Sequence, residues 1–477
     1  MTDPKDDQQA PISGPSASSP VEPSEDTYAL RQGIVDDVVS ALSEGNDQDV
    51  RLQLAALHHS DAADLFERLT GDQRQSLVDA LGTDLDPEIL SEVDETIRDE
   101  IIEVLGLDNV AQVIADLDTD DVVEVLGELE EHEQKQVLDG IAENDRSIIE
   151  ESLSYPEYSA GRLMQRELMA VPEHWTVGEA IDFMRQSADA DEWNMPELFY
   201  DIFVVDPKHN PIGIIALSRL LKSKRLARVA DIMDSEMKLI SATTDQEDVA
   251  FLFRQRDLVS APVVDESGRL VGAITVDDVV DVIHEENEED IMRMGGVHTD
   301  DLYSAATETT RLRFTWLLVN LVTAVGASVV ISLFDATIEQ MVALAVLMPI
   351  VASMGGNAGT QTLTVAVRAL ATKELTANNA GRVIGKELLV GGFNGILFAV
   401  LTGAVTWVWF GSPALGLVIA LAMIVNMVVA GLAGSTIPLF LSRIGVDPAV
   451  ASGVFLTTIT DVVGFFSFLG LAAWILL

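Results

Sequence analysis

The sequence contains no cysteine and few basic side chains, with 29 lysines and arginines against 77 acids in 477 residues. The lack of cysteine excludes disulfides and thiolate metal sites, as is typical of a reducing cell interior. No basic and then apolar signal segment opens the chain, so we expect no export through a cleavable signal. No nucleophile–base grouping, Walker loop or catalytic metal triad is present, which disfavours an enzyme.

The net charge of −48 is unevenly distributed along the chain. Residues 301–477 contain eight acids and seven bases, which leaves about −47 for the first 300 residues. Such a surface attracts cations and repels nucleic acid, so we expect no nucleic-acid partner. A solubilising surface of the halophile type would have the same composition and stays open as an alternative.

Apolar stretches of membrane-spanning length recur in the last third of the chain and predict five transmembrane helices. They run over Phe314–Phe334, Met341–Ala371, Val383–Phe410, Leu415–Leu441 and Ala449–Leu477. Lysines and arginines lie before the first span and in alternate connections, whereas "FDATIEQ" and "GSPALG" contain none. The positive-inside rule then predicts a multi-pass plasma-membrane protein with cytoplasmic N-terminal domains and an outside C-terminus.

The second predicted span contains Pro349 and the polar, glycine-rich stretch "MGGNAGTQ" from Met354 to Gln361. Helix breakers and amides at membrane depth predict an interrupted helix beside a water-filled path. Close glycine-mediated helix packing is the alternative. The pore-lining candidates are Gly355, Gly356, Asn357, Gln361, Asn426, Thr457 and Thr458.

Asp461 is the single ionisable side chain of the last span, and it has hydroxyls at Thr457, Thr458 and Thr460 beside it. Intramembrane acids usually face a cavity, an ion or a partner. A buried pair with Arg368 is the alternative. Oxygen ligands without histidine or cysteine suit Mg²⁺, which keeps several waters and takes few carboxylates. One aspartate per chain therefore predicts a homodimer in which two carboxylates meet at the symmetry axis.

The acidic part of the chain divides into four segments before the membrane spans. Residues 1–27 are rich in Pro, Ser and Asp and predict disorder. Residues 28–150 show short capped amphipathic patterns, such as "LDTDDVVEVLGEL", that predict an α-solenoid. Residues 284–310 follow the third segment, 151–283, and are densely acidic, which weakens a helix unless cations intervene. Divalent ions bridging these acids to neighbouring domains would make a switch, and a solvated linker is the alternative.

Residues 151–283 contain an internal duplication in which an aspartate precedes a glycine by the same spacing, Asp206 to Gly213 and Asp265 to Gly272. The strand–turn–strand–helix ending resembles a tandem pair of CBS domains, small α/β modules that often bind adenine nucleotides. The resemblance implies a ribose site at Thr275 and Asp278, with Tyr200 as a further candidate and ATP as a modulator. The matching positions of the first copy are Ala216 and Arg219.

The order of these segments, with "GGNAGTQ" in the second span and "DPAVASGVFLTTITDVVGF" over Asp447–Phe465, resembles the MgtE family of magnesium channels. The resemblance covers residues 28 to 477 and implies a homodimer that conducts Mg²⁺ and closes when cytosolic Mg²⁺ binds. It implies Asp461 as the pore aspartate, whereas Gly453 replaces a polar pore residue of some relatives. The implied cytosolic Mg²⁺ ligands are Asp245, Glu247, Asp257, Asp278, Asp281, Glu286, Glu289 and Asp290, with Asp118, Asp120 and Asp121 as solenoid candidates.

The sequence as a whole predicts a multidomain protein: a cytosolic α-solenoid and tandem α/β CBS domains, followed by an all-α domain of five membrane helices at 311–477. The predicted function is a Mg²⁺-selective uptake channel that cytosolic Mg²⁺ closes. Two alternatives stay open: a divalent-cation exchanger for Na⁺ or H⁺ with the same membrane fold, and a nucleotide-responsive regulatory protein that the membrane half anchors.

Overall fold

The computed structural model describes residues 30–189, 196, 198–297 and 306–476. The predicted disordered tail at 1–27 and part of the predicted 284–310 segment lie outside these residues. The chain divides into two compact units, the first ending at Tyr155 and the second beginning at Pro156.

The described part of the first unit is built from short α-helices, as the capped amphipathic patterns predict. Buried leucines and isoleucines such as Leu77, Leu90 and Ile101 form its core. Side-chain caps begin several helices, as where Asp94, just before the helix Glu95–Leu105, accepts from the Thr96 amide at 2.9 Å. The helices are α1 Gln32–Glu44, α2 Asp47–Leu54, α3 His59–Arg68, α4 Gly71–Leu81, α5 Glu88–Glu92, α6 Glu95–Leu105, α7 Leu107–Val113, α8 Thr119–Gly127, α9 Glu131–Gly140 and α10 Glu143–Leu153.

Two buried arginines, Arg74 and Arg98, repeat the same contacts along this unit. Each guanidinium donates to a carbonyl five residues earlier, and each pairs with a glutamate 26 residues later, Glu100 at 2.7 Å and Glu124 at 2.8 Å. A contact that recurs with fixed spacing is the mark of stacked helical repeats, and it agrees with the predicted solenoid.

The second unit begins with two α/β modules of the same topology. Each has a three-stranded sheet in which the first two strands are parallel and the last two antiparallel, with a bulge at Val204/Val205 and at Val263/Val264. The elements are α11 Ala160–Leu163, β1 Ala170–Pro172, α12 Val177–Asp189, β2 Asp201–Val205, β3 Pro211–Ala216, α13 Leu217–Lys222, α14 Val229–Ile232, β4 Ile240–Ser241, α15 Gln246–Arg256, β5 Ser260–Val264 and β6 Leu270–Thr275.

The two modules exchange their leading segments. Met164 at the start of the first module covers Gly272 of the second, and Met233 at the start of the second covers Gly213 of the first. A Cβ atom on either glycine would lie 2.6 Å from the methionine sulfur, so neither position has room for a side chain. Short antiparallel bridges join the same segments, Gln165 to Ala273 among them.

The described remainder of the second unit is helical: a connecting helix, the membrane helices and one short helix. Among the described residues, five helices are long and apolar enough to cross a membrane, over Thr309–Ser332, Ala343–Ala371, Ala380–Phe410, Pro413–Arg443 and Ser452–Ile475. The five-helix prediction is confirmed. The helices are α16 Val276–Gly295, α17 Ala306–Ser332, α18 Asp335–Gln340, α19 Ala343–Ala371, α20 Ala380–Phe410, α21 Pro413–Arg443 and α22 Pro448–Ile475, with α21 packed against α19, α20 and α22.

The predicted interruption of the second span is wrong, because α19 continues as an α-helix through Pro349 and "MGGNAGTQ". Its glycines serve close packing instead. Gly355 lies against Asn426 of α21, Gly359 lies against Leu456 of α22, and a Cβ atom at Gly434 of α21 would lie 2.6 Å from the Gly359 carbonyl oxygen. Small residues that let backbones approach are the usual device of membrane helix packing.

The acidic segment after the second module also stays helical, since α16 runs without a break to Gly295. Local partners offset part of the predicted repulsion. The Gln246 amide donates to Glu286 at 2.9 Å, Arg293 pairs with Glu289, and His284 lies 3.6 Å from Glu288. The weakening expected from like charges is therefore insufficient to end the helix.

Candidate ion pathway and regulatory surface

Asp461 lies midway along α22 and is partly exposed on the protomer. Thr457 and Gly453 precede it by one and two turns on the same face. The Thr457 and Thr458 hydroxyls donate to carbonyls of their own helix at 3.1 and 2.6 Å. Their lone pairs remain as acceptors, so this face presents oxygen atoms without competing donors.

Within the described part of the chain, no hydrogen bond or ion pair reaches the Asp461 carboxylate. Arg368, the alternative partner considered from the sequence, lies exposed in the last turn of α19 and forms no ion pair with it. A carboxylate at membrane depth is costly unless something outside the described contacts neutralises it.

The candidates on α19 divide between two faces of the helix. Gly355 is buried against α21, and Gly356 is half-buried with no atom near the place of a Cβ. Asn357 and Gln361 are exposed one turn apart, and the Asn357 amide lies 3.4 Å from the Ser353 hydroxyl. Asn357 and Gln361 are thus free to meet water or another subunit, whereas Gly355 is used in packing.

Asn426 is fully buried in α21. Its Nδ2 donates to the Val351 carbonyl of α19 at 2.8 Å, and its Oδ1 has no hydrogen-bond partner in the described structure. This burial supports a role inside the helix packing rather than on a pore surface.

A second acid in the membrane helices, Glu387 of α20, was missed in the sequence analysis. Its side chain is 13% exposed, lies 3.7 Å from Lys386, and accepts from the Thr362 hydroxyl of α19 at 3.1 Å. Because Lys386 is adjacent, hydropathy assigns this stretch to the polar end of a span, so Glu387 is not recognised as a residue between membrane helices.

The end of α16 is packed on the membrane helices. Met294 joins an apolar cluster with Leu363 of α19 and Leu456 of α22. Arg293 pairs with Asp447, whose other oxygen accepts from the Ala449 amide at 2.7 Å and caps α22. Asp447 was also missed as a site residue, although its position before Pro448 is a sequence signal for a helix cap.

Three of the predicted ligands on α16, Glu286, Glu289 and Asp290, lie in its second half, which contacts α15 and α22. Glu286 accepts from Gln246, and Glu289 pairs with Arg293. Burial, with the like charges of Asp447 and Glu286, raises the pKa of Asp290 to about 6. Burial is the main cause that raises the pKa of Glu247, and the like charges of Glu286 and Asp245 raise it further. Repulsion between these carboxylates is therefore present in this arrangement.

The other predicted cytosolic ligands occupy helix ends and exposed positions. Asp245 caps α15 by accepting from the Glu247 amide at 2.9 Å, and Asp257 ends α15 in the left-handed region. Asp281 is exposed on α16. Among the described residues, no three histidine, aspartate or glutamate side chains lie close enough together to hold a metal ion. The carboxylate set has the chemistry for Mg²⁺, but ligation needs a closer arrangement.

Asp120 and Asp121 belong to the first unit, where they lie in the first turn of α8 after Asp118. The Asp121 amide donates to the Asp120 carboxylate at 3.2 Å. Acids in the first turn complement the helix dipole, which is a structural reason for this pattern.

The candidate nucleotide residues Thr275 and Asp278 form a capping box at the start of α16. The Thr275 hydroxyl donates to Asp278 at 2.7 Å, and burial raises the pKa of Asp278 to about 6. Tyr200 is 52% exposed just before β2. In the first module, the matching helix α13 begins after Ala216, which supplies no side-chain cap.

Three family models match consecutive parts of the chain. "MgtE intracellular N domain" matches residues 57–158, "CBS domain" matches 160–225 and 229–285, and "Divalent cation transporter" matches 348–471. Along the chain they follow the order of the helical unit, the α/β modules and the membrane helices.

Curated relatives match most of the chain. "Magnesium transporter MgtE" of Thermus thermophilus is 38% identical over 336 residues, 69% of this chain and 73% of its own length. The protein of the same name from Bacillus subtilis is 29% identical over 436 residues, 91% of this chain and 96% of its own. A solved "cytosolic domain of the Mg2+ channel MgtE in complex with ATP" is 33% identical with a TM-score of 0.48, covering 52% of this chain and 99% of its own.

Proposed function

Because this chain belongs to the MgtE family of magnesium transporters, we propose that it is a Mg²⁺-selective channel for uptake across the plasma membrane, which cytosolic Mg²⁺ closes. It is a membrane transporter and not an enzyme.

The observation that carries the proposal is the partly exposed Asp461 carboxylate, midway along α22 and without a partner in the described chain. Two such carboxylates at the axis of a homodimer would hold a hydrated Mg²⁺ through its waters, in keeping with the reluctance of this ion to dehydrate. Thr457 and Thr458, with the exposed Asn357 and Gln361, are proposed to line the adjoining path.

The proposed gate is the docking of α16 on the membrane helices. Met294 and the Arg293–Asp447 pair join α16 to α22, while Asp290 and Glu286 lie among like charges. Mg²⁺ bound between these acids and those of α15 would remove the repulsion and favour the docked arrangement. Only tighter binding to that arrangement shifts the equilibrium toward closure.

The proposed orientation has the first unit and the two α/β modules in the cytoplasm and the C-terminus outside. The ion pair between Lys373 and Asp248 supports it, because it joins the α19–α20 connection to the second α/β module. That connection carries the basic residues that the positive-inside rule assigns to the cytoplasm.

We propose ATP as a secondary modulator at Thr275, Asp278 and Tyr200. The paired hydroxyl and carboxylate and the exposed ring support this assignment. The first module lacks the corresponding side chains, so we expect one nucleotide site per chain.

The ion-contact proposal is tested by Mg²⁺ flux into proteoliposomes that contain Asp461→Asn. We expect flux to be lost, while Asp335→Asn, which removes an exposed acid at the start of α18, retains it. Single-channel current steps in the wild type support a channel, whereas flux that requires a Na⁺ or H⁺ gradient supports the exchanger. Wild-type flux from Asp461→Asn contradicts the proposal.

Gating is tested with the triple variant Glu286→Gln, Glu289→Gln, Asp290→Asn. We expect conduction to persist and inhibition by internal Mg²⁺ to weaken in patch-clamp recordings. The control removes three exposed acids of the first unit, Asp72, Asp79 and Glu103. Full block of the first variant at the wild-type Mg²⁺ concentration contradicts the gating proposal.

A further inference from the structure

The Asn426 amide fills the crossing point of three membrane helices. It lies between Gly355 of α19 and Gly464 of α22. A Cβ atom on Gly355 would overlap the amide, and one on Gly464 would lie 2.9 Å from Nδ2. Both helices therefore approach α21 where they have no side chain, and the asparagine sets the distance.

Folding stability alone does not account for an asparagine at this place. Its neighbours in sequence and space include the buried Met423, Met427 and Val351. One hydrogen bond is made, at 2.8 Å to the Val351 carbonyl, but the buried Oδ1 has no partner among the described residues. An unpartnered buried acceptor costs about 1–3 kcal/mol, and a leucine of similar volume would avoid that cost.

The crossing point is next to the carboxylate that the proposed function places on the ion. Gly464 follows Asp461 by three residues, a rise of about 4.5 Å along α22. On the other side, Gly355 precedes the exposed Asn357 by two residues. A shift of the Asn426 side chain would thus move α22 against α19 at the level of Asp461.

We propose that Asn426 is a positioning residue, which fixes the depth and rotation of Asp461 by holding α22 and α19 to α21. This inference rests on the proposed function. The amide itself does not meet the ion, because it is fully buried in the protomer. It acts by contact with Gly464 and by its hydrogen bond to α19.

The first test is Asn426→Leu, which removes the hydrogen bond and the unpartnered oxygen at similar volume. We expect unchanged or higher thermal stability together with a fall, on the order of tenfold, in the permeability ratio of Mg²⁺ to Ca²⁺. The control is Ser435→Ala. Ser435 is equally buried in α21, but its hydroxyl donates to Gly431 and Leu432 of the same helix.

The second test uses the facing glycine. Gly464→Ala is expected to press on the amide and lower the same permeability ratio, and adding Asn426→Ala is expected to restore part of it by making room. If Asn426→Leu fails to fold, the comparison of Gly464→Ala with the double variant still tests the inference.

Three results would overturn the inference. One is a stable Asn426→Leu with the wild-type permeability ratio. Another is a Gly464→Ala effect that Asn426→Ala leaves unchanged. The third, wild-type flux from Asp461→Asn, would overturn the proposed function and this inference together, whereas the first two leave the proposed function intact.

Discussion

The ammonium group of Lys373 forms an ion pair with the carboxylate of Asp248 and lies 4.8 Å from the centre of the Phe251 ring. Lys373 lies in the connection between α19 and α20, and both partners lie on α15. The second α/β module therefore contacts the membrane helices directly, in addition to the contact made by α16. Burial, with the like charges of Glu286 and Asp245, raises the pKa of Glu247, one of the proposed Mg²⁺ ligands, and the Lys373 ammonium offsets part of that rise.

Lys373→Gln is expected to weaken the docked arrangement and raise the internal Mg²⁺ concentration for half-closure by about 1.4- to fivefold. A partly exposed ion pair contributes about 0.2–1 kcal/mol, which corresponds to that range. Dose–response currents at several internal Mg²⁺ concentrations measure it. Lys386→Gln, whose ammonium lies 3.7 Å from Glu387 of its own helix, is the control, and equal curves for the two variants would refute the coupling.

Gly296→Ala is expected to loosen the junction between α16 and α17. Gly296 has φ of 76°, and the indole of Trp316 occupies the place of a Cβ. The left-handed backbone alone costs about 1–2 kcal/mol with a side chain. Limited proteolysis after α16, with and without Mg²⁺, should show faster cleavage. Gly295→Ala is the matched control because no atom lies within 4 Å of its Cβ position, and the prediction fails if both variants are cleaved alike.

Glu128→Gln is expected to stabilise the first unit at pH 8 and not at pH 5. Burial raises the pKa of Glu128 from 4.5 to about 7, although Arg98 lowers it. Because the folded form holds the proton more tightly, stability is greatest below about pH 4.5 and falls as the pH rises to about 7. The neutral amide removes that loss, on the order of 1 kcal/mol.

Hydrogen exchange of α8 amides in the full chain, corrected for the intrinsic rate at each pH, measures this effect. Glu124→Gln is the control, since Glu124 also pairs with Arg98 but is more exposed. Equal protection of wild type and Glu128→Gln at pH 8 would show that the ionised Glu128 carboxylate does not destabilise the first unit at that pH.

Thr275→Val is expected to destabilise α16 by about 1 kcal/mol, because it removes the hydroxyl of the capping box. If the same hydroxyl holds a ribose, ATP binding weakens by about fivefold, as expected for one hydrogen bond. Thermal melting and calorimetric titration with ATP separate the two effects. Thr275→Ser keeps the hydroxyl and should behave as wild type in both measurements. If Thr275→Val lowers the stability but leaves the ATP affinity unchanged, Thr275 has a purely structural role.

Local patterns in the sequence predicted most of the architecture. Five apolar stretches became five helices within a few residues of the predicted ends. The repeated aspartates were also informative. Asp206 accepts from the Asn210 amide and Asp265 from the Arg269 amide, both at 2.9 Å, so each orders the same turn. Such features depend on neighbours in the chain, which is why a sequence reveals them.

The features that were missed depend on residues far apart in the chain. Asp447 pairs with Arg293, and Lys373 with Asp248, across more than a hundred positions. The glycines after Pro349 predicted a broken helix, but Asn426 and Leu456 pack into them and keep α19 intact. Glycine permits both outcomes, and the partner helix decides between them.

Because Met164 and Met233 are exchanged between the two α/β modules, the modules cannot be separated or replaced one at a time. A module expressed alone would leave its glycine, Gly213 or Gly272, uncovered and one strand edge open to other chains. The two modules are therefore expected to fold and unfold together as one cooperative body. A hybrid with a relative has to take both modules at once, since a junction between them would divide each module from the segment that completes it.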